Sequence, residues 1–463
     1  MTAEVDYLVR AGVLVTMDAG RRMIRDAALA VRGDRIVAVG KYEDLRAAHP
    51  ARRVLGDGTA LVMPGLIDAH NHPVHFLSKG LIDDMPMQQR WRERVWPYEA
   101  GLTEDETRIA ATGTFLEMIR HGTTCFSDPG SFYPYAVAQA MEQTGMRGVL
   151  SRITWDVHDP TAPAGYNEDT ETALRKAQDA VSDLNGSAGG RVRAGFSLVR
   201  GAHVTPELAK AVKALADEMG VGIHGHLSST RAELEAALAN WGMTPVARYL
   251  ELGVLGPNVQ LVHMGALEQG DVGILQSLDV TVCHCPSASM FGGFGCISHG
   301  CFPELVQAGV RVVLGTDASA VSRFLDMVRV MYLAACAHKD VKMDPTVIGA
   351  HKAMEMATVD AARGLLWQDE IGTLEAGKKA DIVMVRTDDI NWQPHALRNP
   401  VADLIYAGSG SCVDTVLIDG RVVLEGGRST VMDEQAYSRQ AAKAADGVFE
   451  RMGFAVNPPW PMH

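Results

Sequence analysis

The 463-residue sequence contains no apolar run near the roughly 20 residues that span a bilayer, so its pattern excludes a membrane-spanning helix. Positive charge is in deficit: 43 Lys and Arg stand against 56 Asp and Glu, a formal net charge of −13. Binding a phosphate backbone requires a basic face, so no nucleic-acid partner is expected. Cysteine is scarce and odd in number. Cys125, Cys283, Cys285, Cys296, Cys301, Cys336 and Cys412 are scattered, as free thiols in a reducing compartment would be. The Cys283-His284-Cys285 trio is spaced too tightly for a usual structural zinc site and closes an apolar stretch, so it reads as packing. The opening residues Met1–Asp6 lack the basic-then-apolar layout of a signal peptide, and a cytoplasmic protein is expected. Hydrophobic residues at 47% and charged residues at 21% are typical of a globular enzyme with a large core rather than a disordered chain, and the partner expected of such an enzyme is a small-molecule substrate.

Residues 1–60 alternate short apolar runs with turns, among them Arg32-Gly33-Asp34, a tight hairpin signal. A matching pattern returns at Ala380–Val385 and Val413–Val423 around an Asp-Gly turn. Neither end has strands enough for its own core, so the two are expected to pair into one small β-sandwich, residues 1–60 plus 368–430. Between them, apolar strand candidates near 61–70, 122–128, 147–154, 192–199, 220–226, 259–263, 280–285 and 311–317 alternate with helical periodicity at Glu104–His121, Thr170–Asp183, Pro206–Met219, Ala232–Leu252 and Phe302–Ala308. This is the α/β pattern of a (β/α)8 barrel over 61–367, with an open doubly wound sheet as the competitor. Pro345–Leu365 reads as further helix. Residues 431–463 read as a helical tail, its Asp433–Met452 stretch suited to docking and compatible with a homo-oligomer.

Chemistry concentrates where the strand candidates end. His70 and His72 follow an apolar run two residues apart, so on an extended strand both face one side. His226, His263 and Asp317 end three more strands, which favours the barrel, whose active sites assemble at the C-terminal rim. His224 shares a face with His226 but lies deeper, and is assigned to supporting a ligand or to the core. Neutral imidazoles with one carboxylate suit a divalent ion with an open position, where a water's pKa falls to about 7. Asp317 is expected to be both ligand and general base. His263 is a ligand or a hydrogen-bond partner of the water and developing oxyanion, with the second role preferred.

At Met63–His72, Glu117–Thr124, Cys285-Pro286-Ser287, Leu314-Gly315-Thr316-Asp317 and Ile371–Asp381 the chain resembles the amidohydrolase superfamily over nearly its whole length. Asp84-Met85-Pro86-Met87 and Trp96-Pro97-Tyr98-Glu99 resemble the branch of aromatic deaminases and triazine chlorohydrolases, near the phenylurea and thiocarbamate hydrolases. The resemblance implies one ion per chain (zinc, iron or cobalt) held by His70, His72, His226 and Asp317, with His263 beside the nucleophilic water. The chain departs from that pattern at one place. Those deaminases carry a proton-shuttling glutamate three residues after the strand histidine, where this sequence has Ser229, whose hydroxyl cannot serve as an acid near neutral pH. The fourth-strand histidine motif is also altered, to Val199-Arg200-Gly201. Arg200, Ser229 and Trp91 are candidate substrate contacts.

The expected function is metal-dependent hydrolysis of a C–N or C–S bond in an N-substituted urea, carbamate or thiocarbamate. Deamination or dechlorination of a nitrogen heteroaromatic ring is the alternative. A non-catalytic scaffold on the same fold would be expected to lose metal donors, yet the four ligand candidates are all present.

Overall fold

Eight parallel strands hydrogen-bond in sequence order: Leu66–Asp68, Thr123–Ser127, Arg147–Ser151, Val192–Arg200, Ile223–Leu227, Val259–His263, Thr281–His284 and Arg311–Leu314. The last strand returns to the first. Ala69 N–H donates to Leu314 O at 2.9 Å and Asp317 N–H donates to His70 O at 2.8 Å, closing the (β/α)8 barrel. Gly315 permits that closure, because a Cβ there would lie 2.8 Å from His70 Cβ and 2.9 Å from His70 O. The strands are buried almost throughout, which explains why they read as continuous apolar runs rather than alternating ones. This computed structural model describes residues 4–394, 396–456 and 460; Met1–Ala3 of the opening segment and the last residues of the tail lie outside the described residues.

Both chain ends contribute to a second, nine-stranded mixed sheet. Its apolar cluster gathers Val9, Leu29, Ile36 and Leu55 from the beginning of the chain with Ile382, Met384 and Leu417 from the end. At the hairpin between Val413–Ile418 and Arg421–Glu425, Asp419 (φ 55°) and Gly420 (φ 75°) supply the paired positive φ of a tight turn. Arg147, the first residue of the third barrel strand, clamps this sheet to the barrel. Fully buried, its guanidinium donates to Asp381 at 2.7 and 3.1 Å and to Asp419 at 2.9 Å.

Several elements differ from expectation. The single strand anticipated over 61–70 breaks at Gly65: Leu61–Pro64 pairs with Val5–Val15 and Ile382–Val385 in the mixed sheet, and only Leu66–Asp68 enters the barrel. Both halves are buried, so hydropathy carries no mark of the change of partner. The helix anticipated over 232–252 is two, Arg231–Trp241 and Pro245–Glu251, parted by Gly242 at φ 67° and by Pro245. That over 345–365 is also two, Ala350–Met356 and Val359–Gly364. A further helix, Met327–Lys342, was not anticipated, although Asp326 caps it and Met327, Met331, Ala334 and His338 bury one face.

The tail helix Glu434–Met452 lies against Glu104–Arg120 of the same chain, with Tyr437 donating to Ile109 O at 2.8 Å and Arg451 pairing with Glu106 at 2.6 Å. Tyr437, Ala441 and Val448 are buried there, so the tail gives no separate support to a homo-oligomer. No helix among the described residues is long and apolar enough to cross a membrane.

Candidate metal centre and substrate cavity

His70, His72, His226, His263 and Asp317 meet at the C-terminal ends of the first, fifth, sixth and eighth strands. His70, His72 and His226 form one group with ligand atoms within 4.8 Å of one another; His70, His263 and Asp317 form another. Asp317 Oδ1 lies 3.6 Å from His70 Nε2 and 3.7 Å from His72 Nε2, and its Oδ2 lies 3.8 Å from His263 Nε2. The backbone is strained at this rim: Ser228, His263, Met264 and Asp317 all take positive φ without being glycine. Hydrogen bonds lace the rim together. Asp68 accepts from Thr316 N–H at 2.9 Å, and Asn71 donates to Asp317 O at 2.6 Å.

The hydrogen bonds also decide where the imidazole protons sit. Gln260 Nε2 lies 2.7 Å from Ala69 O, which can only accept, so the amide donates there and has its second hydrogen for His224 Nε2 at 3.2 Å. His224 Nε2 is therefore an acceptor, and the His224 proton sits on Nδ1, donated to Ser127 Oγ at 2.9 Å. His70 Nδ1, 3.0 Å from His224 Nε2, must donate to it. His226 Nδ1 likewise donates to Val199 O at 2.7 Å. In both residues the Nε2 lone pair is left bare, and His70 Nε2 is buried without any hydrogen-bond partner. An orphaned acceptor at the centre of an imidazole and carboxylate cluster is what a divalent metal ion would satisfy, so the donor set fits one. His263 differs: its buried Nδ1 has no partner to hold a proton.

Burial keeps His72, His224, His226 and His263 neutral, as metal binding requires of a ligand. It depresses His72 and His263 to about 3 and takes His226 and His224 well below the usual histidine range, with neighbouring imidazoles adding to the effect. Burial alone would raise Asp317, but His70, His263 and His72 outweigh it and hold the carboxyl well below its usual range.

Beside the cluster opens a cavity of about 420 Å³, with His226 and His263 in its wall. Trp91, Arg200 and Ser229, the expected substrate contacts, all line it, together with Leu227, Trp241, Tyr249 and Phe294. Two carboxylates near it were not anticipated. Glu99 binds His75 Nε2 at 2.8 Å and accepts from the Tyr166 hydroxyl; burial would raise its carboxyl, but His75 outweighs it and holds it low. Glu233 accepts from Ser228 N–H at 3.0 Å and Ser229 N–H at 2.8 Å, and burial pushes it up. Glu233 had a visible signal, the Thr230-x-x-Glu spacing of a capping box, although its side chain turns to the preceding loop.

Residues 61–423 match the amidohydrolase family. The chain belongs to that family. Residues 27–51 also match the imidazolonepropionase-like composite domain of bacteria. The 5-methylthioadenosine/S-adenosylhomocysteine deaminase of Moorella thermoacetica is 35% identical over 429 residues, 91% of this chain and 95% of that protein. The 5'-deoxyadenosine deaminase of Methanothermobacter thermautotrophicus is 36% identical over 84% of this chain and 88% of its own. Among solved structures, an adenosine deaminase from Xanthomonas campestris with bound zinc superposes with a TM-score of 0.89 at 28% identity, covering 97% of this chain and 100% of that one. The atrazine chlorohydrolase of Arthrobacter aurescens shares the fold, with a TM-score of 0.84 at 23% identity over 95% of this chain and 100% of its own. This amidohydrolase is thus a hydrolytic enzyme related to the deaminases of its family, in line with what its motifs implied. The relatives favour ring chemistry over the urea and thiocarbamate reading that the sequence placed first.

Proposed function

We propose that this amidohydrolase uses water to displace an amino or substituted amino group from a nitrogen heteroaromatic ring, with a purine-type ring as the leading case. The observation that carries the reading is a donor cluster in the wall of an aromatic-lined cavity, in a chain that follows named adenosine-type deaminases over nine-tenths of its length. His70, His72, His226 and Asp317 would hold one divalent ion. When bound, it supplies Lewis-acid chemistry and lowers the pKa of a water toward 7. Asp317 takes the water's proton and returns it to the leaving amine. With no partner among the described residues to hold a proton at Nδ1, His263 carries its proton on Nε2, the atom facing Asp317, and donates to the attacking oxygen, orienting it toward the ring.

Ser229 favours a second reading. A ring nitrogen needs a proton as the adjacent carbon is attacked, and Ser229 cannot give one, whereas an acyl carbon in a urea, carbamate or thiocarbamate needs none there. The test is a screen of metal-loaded protein against adenosine-type nucleosides, amino- and chlorotriazines, N-aryl ureas and thiocarbamates, scoring ammonia, chloride, amine and thiol. Ammonia or amine released from a ring supports the proposal. Turnover confined to acyl substrates rejects it for the second reading.

A further inference from the structure

We propose that Arg200 selects the substrate by taking an anionic oxygen, carried on a planar apolar or aromatic body. Arg200 ends the fourth barrel strand, where its Cα pairs in register with His226. Its guanidinium lies 4.2 Å from the centroid of the Trp91 ring, which covers one face. Among the described residues it makes no hydrogen bond and no ion pair. The contrast within the barrel is sharp: buried Arg147 donates three hydrogen bonds to two aspartates, and Arg152 pairs with Glu168 at 2.7 Å.

The nearby carboxylates act on Arg200 through space only, because Glu99 accepts from Tyr166 and binds His75 while Glu233 accepts from two backbone N–H groups, and the guanidinium donors stay unused. Arg200 also lines two spaces at once, the 420 Å³ cavity and a smaller one shared with His72, Glu99 and His226. It therefore shares one cavity with His226 and His263 of the donor cluster and with the apolar wall made by Leu227, Trp241, Tyr249 and Phe294. A half-buried guanidinium with unused donors is costly until an acceptor meets them. The planar fork of a guanidinium matches a planar oxyanion through two parallel hydrogen bonds. A neutral acceptor would use the donors but gain none of the charge assistance that an oxyanion gains there. The inference rests on the proposed function only in seating the substrate in this cavity; it is indifferent to which bond breaks.

The experiment titrates benzoate and benzamide, equal in shape and different in charge, into the metal-loaded full-length protein, its Arg200→Gln variant and its Arg200→Lys variant, following tryptophan fluorescence and calorimetry. Metal content is measured on the same samples. Wild type is expected to prefer benzoate by about ten- to hundredfold, the worth of charge-assisted hydrogen bonds. Arg200→Gln should bring the two probes to within about threefold at unchanged metal content, and Arg200→Lys should keep a reduced preference. No preference in wild type overturns the proposal. So does a full preference in Arg200→Gln, which would put the carboxylate on the metal. Should Arg200→Gln fail to fold, an undiminished preference in Arg200→Lys overturns it equally. A screen that finds no ring chemistry leaves this outcome untouched, so the two readings fail separately.

Discussion

On one side of the cleft, His70, His224, Ser127 and Gln260 hold one another in a chain that ends on backbone carbonyl Ala69 O. On the other side, among the described residues, Arg200 lies against the face of Trp91 and makes no hydrogen bond, and the Tyr249 hydroxyl is buried without a partner. The first wall stands on barrel strands and has its protons fixed in advance. The second is built largely from the loops and helices after strands four and five, with polar groups waiting for something else to satisfy them. Chemistry that must recur at every turnover is preorganised on rigid strands; recognition is left open. The two walls should therefore answer mutation differently.

The largest effect is expected on the ordered wall. Asp317→Asn should lower turnover by about 10²–10⁴-fold in metal-supplemented assays, because an amide cannot accept the water's proton. Turnover within tenfold of wild type would remove Asp317 from the chemistry and erase the contrast. A smaller effect is expected one step behind. His224→Phe takes away the acceptor that holds the His70 proton on Nδ1, and metal affinity should fall by about 10–100-fold in a metal-buffered titration. Unchanged affinity would mean that His70 holds its tautomer without His224. The smallest belongs to the open wall. Tyr249→Phe removes a buried hydroxyl that bonds to nothing, so thermal unfolding should show stability unchanged within about 1 kcal/mol. A loss of several times that size would mean that the hydroxyl is satisfied within the protein and the wall is less open than described.

The same contrast governed what could be read from the sequence. His70, His72, His226, His263 and Asp317 were legible because metal chemistry admits few residue types and the barrel admits few positions, the ends of apolar strands. His224 was legible as a supporting residue because side chains alternate along a strand. The partners of Glu99 were not: His75 and Tyr166 reach it from 24 and 67 residues away, distances that no local period encodes. Trp91, Arg200 and Ser229 were visible as residues, yet their surroundings depend on where the helix Arg231–Trp241 ends, and the sequence was read as carrying it through Gly242. The break at Gly65 was hidden for another reason. A strand buried in one sheet and a strand buried in the next have the same apolar composition.

Proton placement divides the histidines: His226 presents a bare Nε2 to a metal, and His263 presents an N–H to the reacting oxygen. Elemental analysis of wild type, His226→Ala and His263→Ala, purified side by side without chelator and assayed for turnover, tests it most directly. Wild type should carry about one divalent ion per chain, His226→Ala should lose most of it, and His263→Ala should keep most of it while turnover collapses. A His263→Ala protein that purifies metal-free, or a His226→Ala protein that stays fully loaded, would contradict that division.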